Sequence, residues 1–226
     1  MRALRTPPCV EAYQKKLENI RPRYENLSKD VLFFPELEET IVFFEPESGE
    51  SRGLELYLRR DTGGKFSWWT TYALARVQER IAGVDVPKNQ DQRHTVYVDL
   101  NYRPTRKWHI SLAWQYHSGW PYSERIFVPA DKPPGEFPFE ESFGPRNAAR
   151  LPVYHRMDLR VNRHFKLGDG RGSIFIDIFN LYDRGNVQAR FPRARWQGPG
   201  FPVEFDGTFD EEWLPLLPSI GARWEL

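Results

Sequence analysis

A chain of 226 residues is long enough for one large domain or two small ones. Its formal charge of +1 gives no reason to expect a nucleic-acid partner, and its single cysteine, Cys9, excludes an internal disulfide and a thiolate metal cluster. A mean hydropathy of −0.65, with no apolar run of about 18 residues, excludes a transmembrane helix but not a membrane barrel, whose strands turn only alternate residues to lipid.

The N-terminal MRALRTPPCV has no apolar signal core, which a secreted or outer-membrane protein should carry, so the expectation is either a cytosolic chain or a piece of something longer. Residues 1–39 are poorly patterned. Residues 9–20 alternate weakly; Glu11 to Asn19 could pass for a short helix, but the stretch is read as a strand, and 21–39, with Pro22 and Pro35, reads as a loop. Thr40 to Arg60 reads as one long strand. Its second half sets Leu54, Leu56 and Leu58 against Gly53, Glu55, Tyr57 and Arg59, and Gly49 and Gly53 permit a bulge or a close backbone approach. Asp61-Thr62-Gly63-Gly64 is a tight turn. Lys65 to Arg76 puts Phe66, Trp68, Tyr72 and Leu74 on one face, with Trp69 breaking the pattern. After a polar loop at 82–92, His94 to Tyr102 alternates Val96, Val98, Leu100 and Tyr102 with polar residues, and 103–106 is a short turn.

Lys107 to Trp120 (KWHISLAWQYHSGW) has the clearest period of two. Trp108, Ile110, Leu112, Trp114 and Tyr116 share one face; His109, Ser111, Ala113, Gln115 and His117 share the other. The run is about twice the usual strand of roughly 5–6 residues and suits a membrane barrel, whose strands need about 9–11. Residues 121–150 form a long Pro-rich loop. Tyr154 to Leu167 opposes Met157, Leu159, Val161 and Phe165 to Arg156, Asp158, Arg160, Asn162 and His164. A turn at 168–171, a strand with Ile174, Ile176 and Ile178, a long loop at 183–213 and a last strand with Ile220, Ala222, Trp224 and Leu226 complete the chain. Short turns and long loops alternate, as in outer-membrane barrels. The expected fold is all-β: an antiparallel up-and-down meander of about eight long strands, part of a transmembrane β-barrel spanning 1–226.

The ordered motifs SRGLELYLRR, WWTTYALARVQERI, DQRHTVYVDLNYRP, WQYHSGWPY, LPVYHRMDLRVNRHFKL, FIDIFNLYDRGNV and SIGARWEL resemble the closing strands of TonB-dependent outer-membrane receptors over roughly residues 50–226. That resemblance implies the C-terminal part of a 22-stranded barrel that takes up a scarce ligand such as a siderophore, cobalamin or glycan, without catalysis or cofactor. Nothing in the chain resembles the family's plug domain or its TonB box, so TonB would be reached only through an absent plug. The implied partners are outer-membrane lipid and the barrel-assembly machinery. The family usually closes on Phe or Trp, whereas this chain closes on Leu226. Two other readings are a soluble all-β ligand-binding module and an autonomous eight-stranded barrel.

The chemistry-bearing residues are weighed on this frame. His109 and His117 share a face but lie roughly 27 Å apart along a strand, too far for one metal. The GDGRG run at 168–172 lacks the following helix that a phosphate cradle needs and reads as a turn. Asp210, Glu211 and Glu212 read as solvated acids rather than half a calcium site. No catalytic triad or carboxylate pair can be assigned. His109, Gln115, His117, Arg156, Asp158 and Arg160 are expected to line the lumen. Trp120, Tyr122, Phe127, Phe137, Phe139 and Phe143, in or beside the Pro-rich loop, are the expected ligand contacts. Ile220, Trp224 and Leu226 are the expected assembly signal, with Trp224 also an interface anchor.

Overall fold

The computed structural model describes residues 8–26, 41–61 and 63–225. Leu226, and the part of the first predicted loop at 27–39, lie outside the described residues. The described residues form no helix and seventeen strands. In chain order these are β1 (Cys9–Glu18), β2 (Arg23–Asn26), β3 (Ile41–Phe44), β4 (Ser48–Asp61), β5 (Phe66–Ile81), β6 (Val84–Pro87), β7 (His94–Thr105), β8 (Trp108–His117) and β9 (Pro121–Tyr122). They continue with β10 (Arg125–Pro129), β11 (Phe139–Phe143), β12 (Ala149–Arg150), β13 (Tyr154–Leu167), β14 (Gly170–Phe179), β15 (Val187–Arg195), β16 (Glu204–Glu212) and β17 (Leu217–Glu225).

Eight long strands pair in the order β1-β4-β5-β7-β8-β13-β14-β17, antiparallel throughout, with β6 added beside β5. This is the expected meander. Strands β1 and β17 end this order, and among the described residues no ladder joins them. Antiparallel succession puts the β4–β5, β7–β8 and β13–β14 turns on one rim and all the long connections on the other. Lys65 and Arg103 are joined by a backbone hydrogen bond of 2.6 Å and Lys107 and His164 by one of 2.7 Å, so neighbouring short turns meet along that rim.

Several boundaries differ from the sequence reading. Thr40–Arg60 is not one strand. Glu45-Pro46-Glu47 separates β3, which pairs with β2, from β4, which pairs with β1 and β5. Proline has no amide proton for a sheet ladder, which accounts for the break. Of the two features that Gly49 and Gly53 permit, the bulge does not form, because β4 and β5 stay in register from Ser48↔Arg80 to Asp61↔Ser67. The close approach at Gly53 is real: a Cβ there would lie 2.8 Å from the Tyr13 ring and 2.9 Å from the Leu74 carbonyl oxygen. The turn after β7 is tighter than 103–106, since the strand runs to Thr105 through an irregularity after Tyr102. The four loops placed at 21–39, 82–92, 121–150 and 183–213 each contain strands: β2 in the first, β6 in the second, β9 to β12 in the third, the β15–β16 hairpin in the fourth.

The sheet has two chemically distinct faces. Tyr102, Ile110, Val161, Ile176 and Ile220 lie in one cross-strand row, and Leu100, Leu112, Leu159 and Ile178 in another. Asn101, Ser111, Arg160 and Asp177 form a row on the opposite face, as do Tyr97, Gln115 and Arg156. Trp69, which broke the pattern in sequence, stands on this polar face and stacks on Tyr57 at 6.5 Å.

The apolar rows do not close on themselves. Leu54, Leu56, Leu58, Ile110, Leu112, Leu159, Val161, Ile174 and Ile176 are all exposed or half-buried. Among the described residues only Leu151 and Tyr154 are buried large apolar side chains. The accessible surface is 16017 Å², against about 10,700 Å² for a compact monomer of this mass. A sandwich core between two sheets is therefore not formed.

Candidate functional site

The long connections meet at one rim and interlock through buried polar groups. Asp91, fully buried between β6 and β7, accepts a hydrogen bond from the Val77 amide at 2.6 Å and pairs with Arg93 at 3.1 Å and with Arg150. Arg150 also donates to the Asp91 and Gly119 carbonyls at 2.7 and 3.0 Å. Asn147, buried in the connection before β13, donates to the Pro87 carbonyl and to Asn89, both at 2.7 Å. Glu79 on β5 holds Lys88 at 2.9 Å and Arg23 of β2, and Glu25 of β2 pairs with Arg23 and Arg146. Arg146 lies 3.8 Å over the Phe44 ring of β3. Burial opposes the charge on Arg23, but the bonds to Glu79 and Glu25 outweigh it and raise its pKa.

The expected ligand residues divide into four places. Phe127, Phe137 and Phe139 come together: Phe137 lies 5.5 Å from Phe127 and 5.7 Å from Phe139, ring centre to ring centre. Phe205 and Trp196, from the β15–β16 hairpin, complete this group at 5.1 Å from Phe139 and 5.8 Å from Phe137. Both were missed in the sequence, because Trp196 stands 59 positions from Phe137 and Phe205 stands 66 from Phe139, on a segment read as irregular. Phe143 sits apart, with the Arg125 guanidinium 5.7 Å from its ring. The same guanidinium lies 4.5 Å from Phe191, which ties the two hairpins together. Trp120 is at the root of the connection, 4.3 Å from His117, 6.3 Å from Tyr154 and 6.4 Å from Trp213.

Tyr122 pairs with Ala149 and lies beside Arg190. Burial raises its phenol pKa, and Arg190 partly offsets that. Arg190 itself donates two hydrogen bonds to Asp210, at 2.6 and 2.8 Å. Those bonds hold the Asp210 carboxyl below the usual carboxylate range, against a smaller opposing effect of burial. Asp210 is thus a strut of its hairpin rather than a free acid.

The residues expected to line a lumen all stand on the polar face and fall into separate groups of contacts. His109 and Ser111 each meet the Asn101 side-chain oxygen at 2.9 Å. Gln115 donates to the Tyr154 hydroxyl at 3.3 Å, and Arg156 donates to the same hydroxyl at 3.1 Å and to Asp158 at 2.9 Å. Asp158 accepts the Asn180 amide at 3.0 Å, and Arg160 pairs with Asp177 at 3.0 Å. His117, buried, stacks face to face on Tyr154 at 4.6 Å.

Of the expected assembly residues, Ile220 and Trp224 lie on the edge strand β17 and are 76% and 60% exposed. Trp224 opposes Gly172 close to the β13–β14 turn, so it sits at the short-turn rim on the apolar face. The GDGRG segment is that turn and the start of β14, with strands on both sides. No protein-family model matches the chain, and no curated protein is similar to it.

Proposed function

We propose that this chain is a stretch of outer-membrane barrel wall, the C-terminal strands of a receptor of the TonB-dependent kind, whose interlocked loops meet a scarce ligand outside the cell. The observation that carries this reading is the two-faced sheet. Its apolar rows are left exposed or half-buried, while its polar rows carry hydrogen-bonded groups that span neighbouring strands. Strands β4, β5 and β13 hold 14, 16 and 14 residues, more than the roughly 9–11 that cross hydrocarbon. The surplus lies toward the long loops, where Arg52 and Arg76 succeed Leu54 and Leu74 on the outward face. Lipid tolerates no open sheet edge, so in a membrane β1 and β17 must be paired, with each other, with a second copy of this chain or with further strands of barrel wall. The receptor assignment and its uptake role rest on the motif resemblance; TonB would act through a plug, and the barrel-assembly machinery through the last strand.

The test is folding in detergent micelles, read by migration on gels with and without boiling. A folded form that resists dissociation until heated, and that precipitates when detergent is withdrawn, is the expected result. A compact monomer that stays in solution without detergent would sink the proposal in favour of a soluble binding module.

A further inference from the structure

The short-turn rim is far more basic than the chain as a whole. Segments 59–65, 103–107, 163–171 and 223–225 hold ten Arg and Lys against three Asp and Glu, a net +7 in a chain whose total is +1. All ten cations are exposed. Among the described residues only Arg59 and Arg223 have acidic partners, Asp61 and Glu225. The others crowd one rim with like charge, an arrangement that costs stability unless an anionic surface meets it.

Aromatic side chains mark where that surface lies. Phe66, Tyr102, Trp108 and Trp224 stand exposed on the apolar face beside the rim, the position of an interfacial belt. Arg60 and Arg163 share this outward face, opposite Trp68 and Trp108. The Arg163 guanidinium lies 5.5 Å from the Trp108 ring. Arg106 and Lys107 form the turn between β7 and β8. A long side chain at the edge of a membrane band lays its stem on apolar surface and carries its charge to the headgroups.

From the reading of this chain as barrel wall, we propose that the short-turn rim binds the headgroup phosphates of anionic phospholipid, with Arg60, Arg106, Lys107 and Arg163 as the contacting cations. The outward and turn placement of these four favours a lipid over an acidic protein, which would meet cations directed into the lumen. Anionic lipid gathered there fixes the height of the barrel wall in its leaflet.

The experiment reconstitutes the chain into neutral phosphatidylcholine vesicles and into vesicles of one part phosphatidylglycerol to two parts phosphatidylcholine. Protease protection of the strands reads insertion. Spin-labelled lipids of each headgroup read selectivity at the protein surface. The expected result is protection in both vesicles with about threefold preference for phosphatidylglycerol, falling toward unity in high salt and in the variant R60Q/R106Q/K107Q/R163Q. The salt titration of the unaltered chain gives a result even where the variant does not fold. Protected strands without headgroup preference overturn the rim proposal and leave the barrel reading standing; so does a preference that neither salt nor the substitutions change. Retention of polyglutamate in neutral vesicles, without lipid selectivity, assigns the rim to an acidic protein and also overturns it. Unprotected strands in both vesicles overturn the barrel reading, and this proposal with it.

Discussion

Glycine at position 53 shows how one missing methyl group sets an edge. Tyr13 of β1 lies over it on the polar face, and the β5 carbonyl of Leu74 closes the space on the other side. The ring can swing away from an added Cβ, but the carbonyl is held by a sheet. Gly53→Val therefore forces β1 outward at a cost of about 1–3 kcal/mol. Amide exchange at Ala12, Tyr13 and Gln14 should quicken while β13 keeps its protection. Unchanged exchange at those three amides would show that β1 does not depend on this contact. Gly53 was legible in the sequence as a close approach, but Tyr13 as its partner was not, because nothing local links the two positions.

At the scale of the element, the β15–β16 hairpin is held by the paired bonds of Arg190 to Asp210 across two register shifts. The Asp210 carboxyl titrates below the usual range in the folded hairpin, so its protonation is linked to opening. The contribution is complete at neutral pH and is lost as pH falls through the lowered value. It amounts to about 1 kcal/mol for a charged pair that keeps roughly a third of its surface. Carbon-detected titration should find Asp210 below the other exposed acids, and Arg190→Gln should return it to their range. Equal titration in both proteins would remove the strut.

The long strands were legible because their alternation runs over ten or more residues. The hairpins inside the loops were not. β9 and β12 have two residues each, β10 and β11 five, and Pro129 and Pro192 interrupt the pattern. Pro46 was the available signal for the break before β4. The polar rows were legible face by face, but their partners, such as Asn101 for His109 and Asp177 for Arg160, depend on register across strands.

On the scale of the whole molecule, the loop rim is one connected structure because buried charges bind its parts. Asp91 joins β5, the connection before β7 and the connection before β13. Asp91→Asn removes the charge that Arg93 and Arg150 share. The cost is about 3 kcal/mol, the lower end for a buried pair, since the two arginines are 39% and 31% exposed. Limited proteolysis should then cut within 118–153 while β13 and β14 stay intact. An uncut connection would place the strength of this rim elsewhere.

The register from β4 to β14, broken only by the irregularity after Tyr102, also sets a counting rule for how this chain can change length. Removing Asn162 from β13, with the β13–β14 turn held in place, would carry Arg156, Asp158 and Arg160 to the opposite side of the sheet and bring Leu159 and Val161 into their place. Removing two would shorten the strand and leave every side chain on its own side. Insertions and deletions inside the strands are therefore tolerated only in even numbers, while the hairpins of the long connections, joined to the sheet at their ends, are free of that arithmetic and can vary in length by any number of residues.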